Sequence, residues 1–300
     1  MTPDLRQFRY FVAVAEESSF TRAATRLMLT QQSLSQQISA LERILGTKLF
    51  DRDSRGTRLT DTGALFLAEA RAVLDRADGA VAMVRRAARG EVGQLRLAFL
   101  ATTANHLLPP VVRAARKHLA GVEFSTAETT IGPLVEGVVD GRYDLAFTHP
   151  PQVPGLAART IATEQVCVVL PEGHPLADRT ELSLSDLADE RWVTTPRSSW
   201  EPWHRTFDEN FRAAGFVPDI VARDASVQGL LGLVAAGVGI TRLGWSAHNL
   251  RRTGVVFVPL AGEAMPTEMV WLPDNTSPAL RRLLDVIVDL AATTDLTISG

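Results

Sequence analysis

Apolar residues recur at helical spacing from the start of the chain. Leu5, Phe8, Phe11, Val12 and Ala15 mark one face of a helix over residues 5–17. Ser18-Ser19 breaks it and supplies a cap for the next helix. Ala23, Ala24 and Leu27 form the inner face of that short second helix, whose small alanines let a crossing helix approach closely. Thr30 is placed to cap a third helix with a buried stripe of Leu34, Ile38, Leu41 and Leu45, and Gly46 ends it. Two short strand-like pieces within 48–60 then flank a polar turn. One long helix is predicted over 61–88. Its Leu67, Ala70, Leu74, Ala77, Val81 and Val84 alternate at spacings of three and four, a seam that asks for a partner helix. Leu65, Phe66, Val73 and Ala80 widen the stripe, while Gly79 weakens its centre. We read it as a homodimerisation helix, with packing against the body of the same chain as the alternative.

Residues 89–94, polar and with two glycines, show no periodicity and read as a hinge. Beyond them apolar strands are expected at 95–99, 122–126, 145–148, 166–170, 192–194, 220–222, 240–243, 255–258 and 268–272. Helices are expected near 106–119, 130–139, 203–214, 226–236 and 277–292. This alternation predicts an α/β body of parallel sheets, and its length suits two sub-domains better than one. The organisation is therefore a helical unit at 1–60, a linker helix at 61–88, the hinge, and a body at 95–300. The body divides into 95–163 plus 267–300, and 164–266.

The third helix carries the most specific chemistry. Opposite its apolar stripe stand Gln32, Gln36, Ser39 and Arg43, with Gln31, Ser33 and Ser35 near its N-terminal end. Amides and hydroxyls are the groups that read base edges in a major groove, and Gln pairs bidentately with adenine. A merely solvated face is usually Lys and Glu, which are nearly absent here. Arg52, Arg55 and Arg58 punctuate the polar turn beyond it, as in a wing that grips phosphate or enters the minor groove. Charge agrees with this division. The net charge of −3 conceals 14 basic against 10 acidic residues over 1–90, and 17 against 24 over the rest. A basic head on an acidic body suits a polyanion-binding module.

Other classes find little support. The single Cys167, within an apolar run, excludes an intrachain disulfide and a multi-cysteine metal site. The six histidines show no paired metal spacing, and no nucleophile elbow or phosphate-binding Gly-Lys-Ser/Thr loop occurs. Gly237-Val238-Gly239 precedes strand residues, so it is a turn rather than a dinucleotide loop. No enzyme activity, metal or cofactor is expected. No apolar run approaches the ~20 residues needed to span a bilayer, and no signal-peptide pattern precedes residue 30. The expected location is cytoplasmic, without a membrane partner. A solute-binding protein is the serious rival for 91–300 alone, but it conflicts with the DNA-binding head and the missing export signal.

Residues 4–64 closely resemble the winged helix-turn-helix of LysR-type transcriptional regulators. The match rests on Phe11-Val12-Ala13-Val14-Ala15-Glu16, Ser19-Phe20-Thr21-Arg22-Ala23-Ala24, Leu34-Ser35-Gln36-Gln37-Ile38, Leu41-Glu42, Leu49-Phe50-Asp51-Arg52 and Leu59-Thr60-Asp61-Thr62-Gly63. The body agrees more loosely, through residues 137–146, Pro171-Glu172-Gly173-His174-Pro175-Leu176, Ala214-Gly215-Phe216 and residues 234–240. The resemblance implies a tetrameric regulator of inverted-repeat promoter sites on double-stranded DNA, with RNA polymerase as a further partner. It also implies a body like a type II periplasmic binding protein, with a small-molecule effector between its sub-domains. Thr102, Thr103, Thr129, Thr130, Thr148, Thr195, Arg197, Ser198, Ser199, Trp203 and Ser226 fall at that cleft, and such hydroxyls and helix starts suit a small organic acid. Each hydroxyl alone is equally an N-cap for its own helix. Two departures stand out. Thr30-Gln31-Gln32 replaces the usual Ser-Gln followed by Pro or Ser, which adds a base-reading group. The Trp-rich stretch Arg197-Ser198-Ser199-Trp200-Glu201-Pro202-Trp203-His204 is unusual at its place, and either lines a pocket or packs the sub-domain.

Overall fold

A computed structural model describes residues 2–53, 56–150, 153–199 and 201–297. The chain forms two compact units, Met1–Arg85 and Arg86–Gly300.

In the first unit, helix α1 (Leu5–Glu17) opens with a reciprocal cap. The Asp4 carboxylate accepts from Gln7 N–H at 2.9 Å, and Asp4 N–H donates back to the Gln7 side chain at 3.1 Å, which buries Gln7. Phe11, Ala13 and Val14 form its inner face, so Leu5 in the first turn stays exposed, contrary to expectation. Ser18 ends α1 in the left-handed region, and Ser19 caps α2 (Phe20–Arg26). Thr30 accepts from Ser33 N–H at 3.2 Å to cap α3 (Gln31–Leu45), and Gly46 closes it at φ +70°. The α3 stripe is Leu34, Ile38 and Leu41, but its fourth member is Glu42 rather than Leu45, which is exposed. Strands β1 (Phe50–Asp53) and β2 (Gly56–Leu59) pair antiparallel as the expected hairpin.

Helix α4 (Asp61–Ala88) divides its apolar surface between two faces. Ala70 is buried in the core of the first unit, with Phe66 and Leu67 packed beside it, and Leu74 and Ala77 are half-buried. The N-terminal half of the expected seam is therefore satisfied within its own unit. Leu65, Val73, Val81, Met83 and Val84 remain exposed.

The second unit begins earlier than the hinge assignment expects. Gly90 is buried, its carbonyl accepts from Arg282 at 3.1 Å, and a Cβ there would meet the Pro278 carbonyl at 2.5 Å. Glu91 pairs with Arg89, and Gly93 already opens strand β3 (Gly93–Phe99). Residues 89–94 are thus fastened to the body rather than free.

From there the order is α5 (Ala101–His118), β4 (Val122–Glu128), α6 (Ile131–Val139), β5 (Leu145–Thr148), β6 (Ala157–Pro171), β7 (Arg191–Thr194), α7 (Glu201–Ala213), β8 (Asp219–Arg223), α8 (Val227–Ala235), β9 (Thr241–Gly244), β10 (Val255–Trp271) and α9 (Pro278–Thr293). Six strands form one sheet in the order β4-β3-β5-β10-β6-β9, and β7 pairs with β8. The sheet is mixed, which corrects the all-parallel expectation. β3 runs parallel to β4 and β5, whereas β10 is antiparallel to β5 and β6, and β9 is antiparallel to β6. The segments expected as separate strands at 255–258 and 268–272 are one strand, β10, with a register shift between Pro259 and Ala264. Likewise 166–170 is the end of the longer β6.

These two long strands run through both lobes. Around β3, β4, β5 and the Trp271 end of β10, α5 and α9 cover one sheet face and α6 the other. Around β7, β8, β9 and the Val255 end of β10, α7 and α8 do the same. Helix α5 starts five residues before the expected position, because Thr103 and Leu100 bond each other at its first turn. Pro109 and Pro110 lie inside it and make no backbone donation.

Candidate nucleic-acid surface and body cleft

The polar face of α3 forms as expected. Gln31, Gln32, Gln36, Ser39 and Arg43 are exposed, and none makes a side-chain hydrogen bond to another described residue. Thr30 caps the helix, its hydroxyl accepting from the Ser33 amide, and the Ser33 side chain is half-buried. Ser35 lies nearer the buried stripe and is half-buried, and its hydroxyl accepts from the Arg52 guanidinium at 2.9 Å. Arg58, opposite Asp51 in the hairpin register, is exposed. Arg55 lies outside the described residues. Of the expected wing cations, Arg52 is thus turned to α3 and Arg58 stands opposite Asp51.

In the second unit a cleft of about 500 Å3 opens between the lobes. The C-terminal ends of parallel strands feed it, the place where an α/β sheet presents helix N-termini to a ligand. Of the expected residues, Thr102, Thr129, Thr130, Thr195, Ser199, Trp203 and Ser226 line it. Four do not. Thr103 is fully buried and donates to the Leu100 and Phe147 carbonyls, which fixes the start of α5 to β5. Thr148 turns inward and donates to the His149 carbonyl at 3.4 Å. Arg197 pairs with Asp208 away from the cleft lining, and Ser198 does not line the cleft either. Trp200 lies outside the described residues.

Sequence reading missed the lining residues His149 and Arg242, and named His204 only within the Trp-rich stretch. His149 follows β5 at the strand end, a position the strand-end rule itself flags. Its Nδ1 lies 3.1 Å from the Pro266 carbonyl, which only accepts, so that nitrogen carries the proton and Nε2 takes the Thr102 hydroxyl at 3.3 Å. His204 does similar work on the other lobe, its Nε2 donating to the Pro196 carbonyl at 2.9 Å and lying 3.2 Å from the Thr195 hydroxyl. Burial pushes the pKa of both imidazoles, and of His106, below the ordinary histidine value. Arg242, on β9, has no sequence signal at all. Burial lowers its pKa while the neighbouring Glu263 carboxylate pairs with it and opposes the shift. Its guanidinium carbon stands 5.0 Å from the Phe207 ring centre, and Phe207 in turn stacks on Trp203 at 5.0 Å. Trp203 is thus half of an aromatic wall, while also packing against the lobe's core.

Comparison with known proteins decides the family. Residues 5–64 match the model of the bacterial regulatory helix-turn-helix protein, lysR family, and residues 88–292 match the LysR substrate binding domain. The chain belongs to the LysR family of transcriptional regulators. It is 33% identical over 286 residues to the HTH-type transcriptional regulator AlsR of Bacillus subtilis, covering 94% of this chain and 95% of that one. It is 35% identical over 254 residues to a probable cat1 operon transcriptional activator of Acinetobacter lwoffii, covering 83% and 82%. Among solved structures, full-length CbnR complexed with its target DNA overlays with a TM-score of 0.81 at 28% identity, covering 96% of this chain and 99% of that one.

Within the LysR family frame, the exposed face of α3 belongs to the DNA-binding module and the cleft to the substrate-binding domain. The chain is a DNA-binding transcriptional regulator with an effector-binding body. No helix among the described residues is long and apolar enough to cross a membrane.

Proposed function

We propose that this LysR-family regulator binds a small organic acid in the cleft lined by Thr102, Thr129, Thr195, Ser226 and Arg242, and that the bound acid modulates its action on promoter DNA. The carrying observation is the convergence of strand-to-helix junctions with one half-buried guanidinium at the end of an aromatic wall. Thr130, the N-cap of α6, makes no side-chain cap bond, which leaves first-turn amides of α6 available to an anion. Carboxylate oxygens suit such amides and Arg242, and an apolar body suits Trp203 and Phe207. The effector is the one small molecule the reading requires, with no metal or cofactor besides.

The exposed Leu65, Val73, Met83 and Val84 of α4 support a homodimer through that helix, and hence an inverted-repeat site with one α3 per half-site. Assembly to a tetramer, contact with RNA polymerase and action on DNA in the cytoplasm complete the reading, on the strength of the family resemblance. A thermal-shift screen of the full chain with a broad panel of small carboxylates tests the effector. Stabilisation of the wild type that is lost in Arg242→Gln is expected. A panel without any stabilising acid counts against the acid, and a response unchanged in Arg242→Gln counts against this cleft.

A further inference from the structure

The wing arginines are expected from sequence to touch DNA, but Arg52 is already engaged within its own unit. Side chains alternate along a strand, so Arg52 shares the face of Phe50, which is buried, while Asp51 takes the other. Its guanidinium carbon sits 3.8 Å from the ring centre of Phe20, the first residue of α2. Its Nη1 donates to Ser35 Oγ on α3 at 2.9 Å. One side chain of β1 thereby touches both helices of the helix-turn-helix. The residue stays exposed overall, so directed contacts rather than burial hold it.

Phe20 is itself braced. It meets Phe50 edge-on at 5.7 Å, Phe50 meets Phe11 at 5.2 Å, and Phe11 meets Phe66 of α4 at 4.9 Å. An unbroken series of ring contacts therefore leads from α4 through the core to the guanidinium and ends on the recognition helix. A planar guanidinium stacks and donates in its plane at once, whereas an ammonium does neither with the same geometry.

We propose that Arg52 is a positioning residue for sequence recognition: it latches the wing to α3 through Ser35 and Phe20, and so sets the spacing between groove-reading helix and wing. Ser35 is then the catch of that latch and not a base reader. Specific DNA demands that helix and wing reach their contacts together, while random DNA is held by phosphate charge alone. Loosening the latch lowers specific binding and spares non-specific binding.

The test uses the full-length chain, a duplex selected by the wild type from a randomised pool, and a random duplex of equal length. Arg52→Lys keeps the charge and removes the stacked, in-plane contact. We expect Arg52→Lys and Arg52→Gln each to lose roughly tenfold in the ratio of specific to random affinity, about the effect of one mismatched base pair. Ser35→Ala falls in the same direction, and Arg52→Lys with Ser35→Ala is no worse than Arg52→Lys alone. Random-duplex affinity of Arg52→Lys and its salt dependence stay at the wild-type level. The proposal is overturned if Arg52→Lys keeps the wild-type ratio while Arg52→Gln weakens both duplexes and its salt slope falls by about one, the mark of a phosphate contact. It is equally overturned if no variant changes the ratio. Should an Arg52 variant fail to fold, Ser35→Ala alone decides, because it removes only the catch.

Discussion

Glu42 occupies the buried stripe of α3 because three donors meet it there. Its carboxylate accepts from the amides of Leu49 at 2.9 Å and Phe50 at 3.4 Å, and from Lys48 at 2.8 Å. Burial alone pushes its pKa up, yet the Lys48 bond and the two amides outweigh burial, and the net shift is downward. With the folded value below the unfolded one, of about 4.3, its stabilising contribution is complete above that pH and fades as pH falls through the folded value. Glu42→Ala strands the buried Leu49 amide and is expected to cost ~1–3 kcal/mol in urea unfolding at neutral pH. Little of that comes from Lys48, whose side chain is 74% exposed. A loss below about 0.5 kcal/mol would show that water replaces the carboxylate at these amides. At this scale the sequence was readable wherever a residue serves its own neighbours. Thr30, Ser19 and Gly46 cap as their types require. It was unreadable where partners come from elsewhere, since nothing around Glu42 announces the amides of 49 and 50. Thr103 and Thr148 illustrate a finer limit, because one step along a helix start or strand end turns a hydroxyl from cleft to core.

At the scale of elements, α4 is the informative case. Helical spacing correctly gives one helix over Asp61–Ala88, but periodicity cannot say which apolar residues are spent inside the unit. Leu67 and Ala70 meet the first unit's core, and the exposed set is Leu65, Val73, Val81, Met83 and Val84. Burying one such side chain contributes ~1.5–3 kcal/mol, so a charge in its place opposes association strongly. Val84→Glu is expected to lower the oligomer mass of the full chain in light scattering coupled to gel filtration, with its circular dichroism spectrum retained. An unchanged oligomer mass would place the dimer contact elsewhere. The strands show a related ambiguity. Alternation finds the apolar pieces at 255–258 and 268–272, but the polar stretch between them resembles a loop, and only pairing with β6 makes it continuous.

For the whole molecule, the two-unit organisation and the position of the cleft were legible from the family motifs and from strand–helix alternation. The mixed direction of the main sheet was not, since local pattern says nothing of which strands meet. Nor was Arg242, whose partner Glu263 and neighbour Phe207 come from other elements. Both lobes of the body are built on β6 and β10, which pair from Val255↔Pro171 to Trp271↔Ala157. A shared ladder ties the lobes' stability together. Amide exchange is therefore expected to give Val168 and Ala158 the same slow, globally limited rate. Markedly faster exchange in one lobe would show that it opens alone. The same ladder also constrains how the cleft can respond to what it holds. Lobes strung on a flexible loop swing freely, whereas lobes sharing a two-strand ribbon move only as that ribbon deforms. Whatever the cleft holds therefore works against a paired ribbon, and the movement expected of the lobes is small.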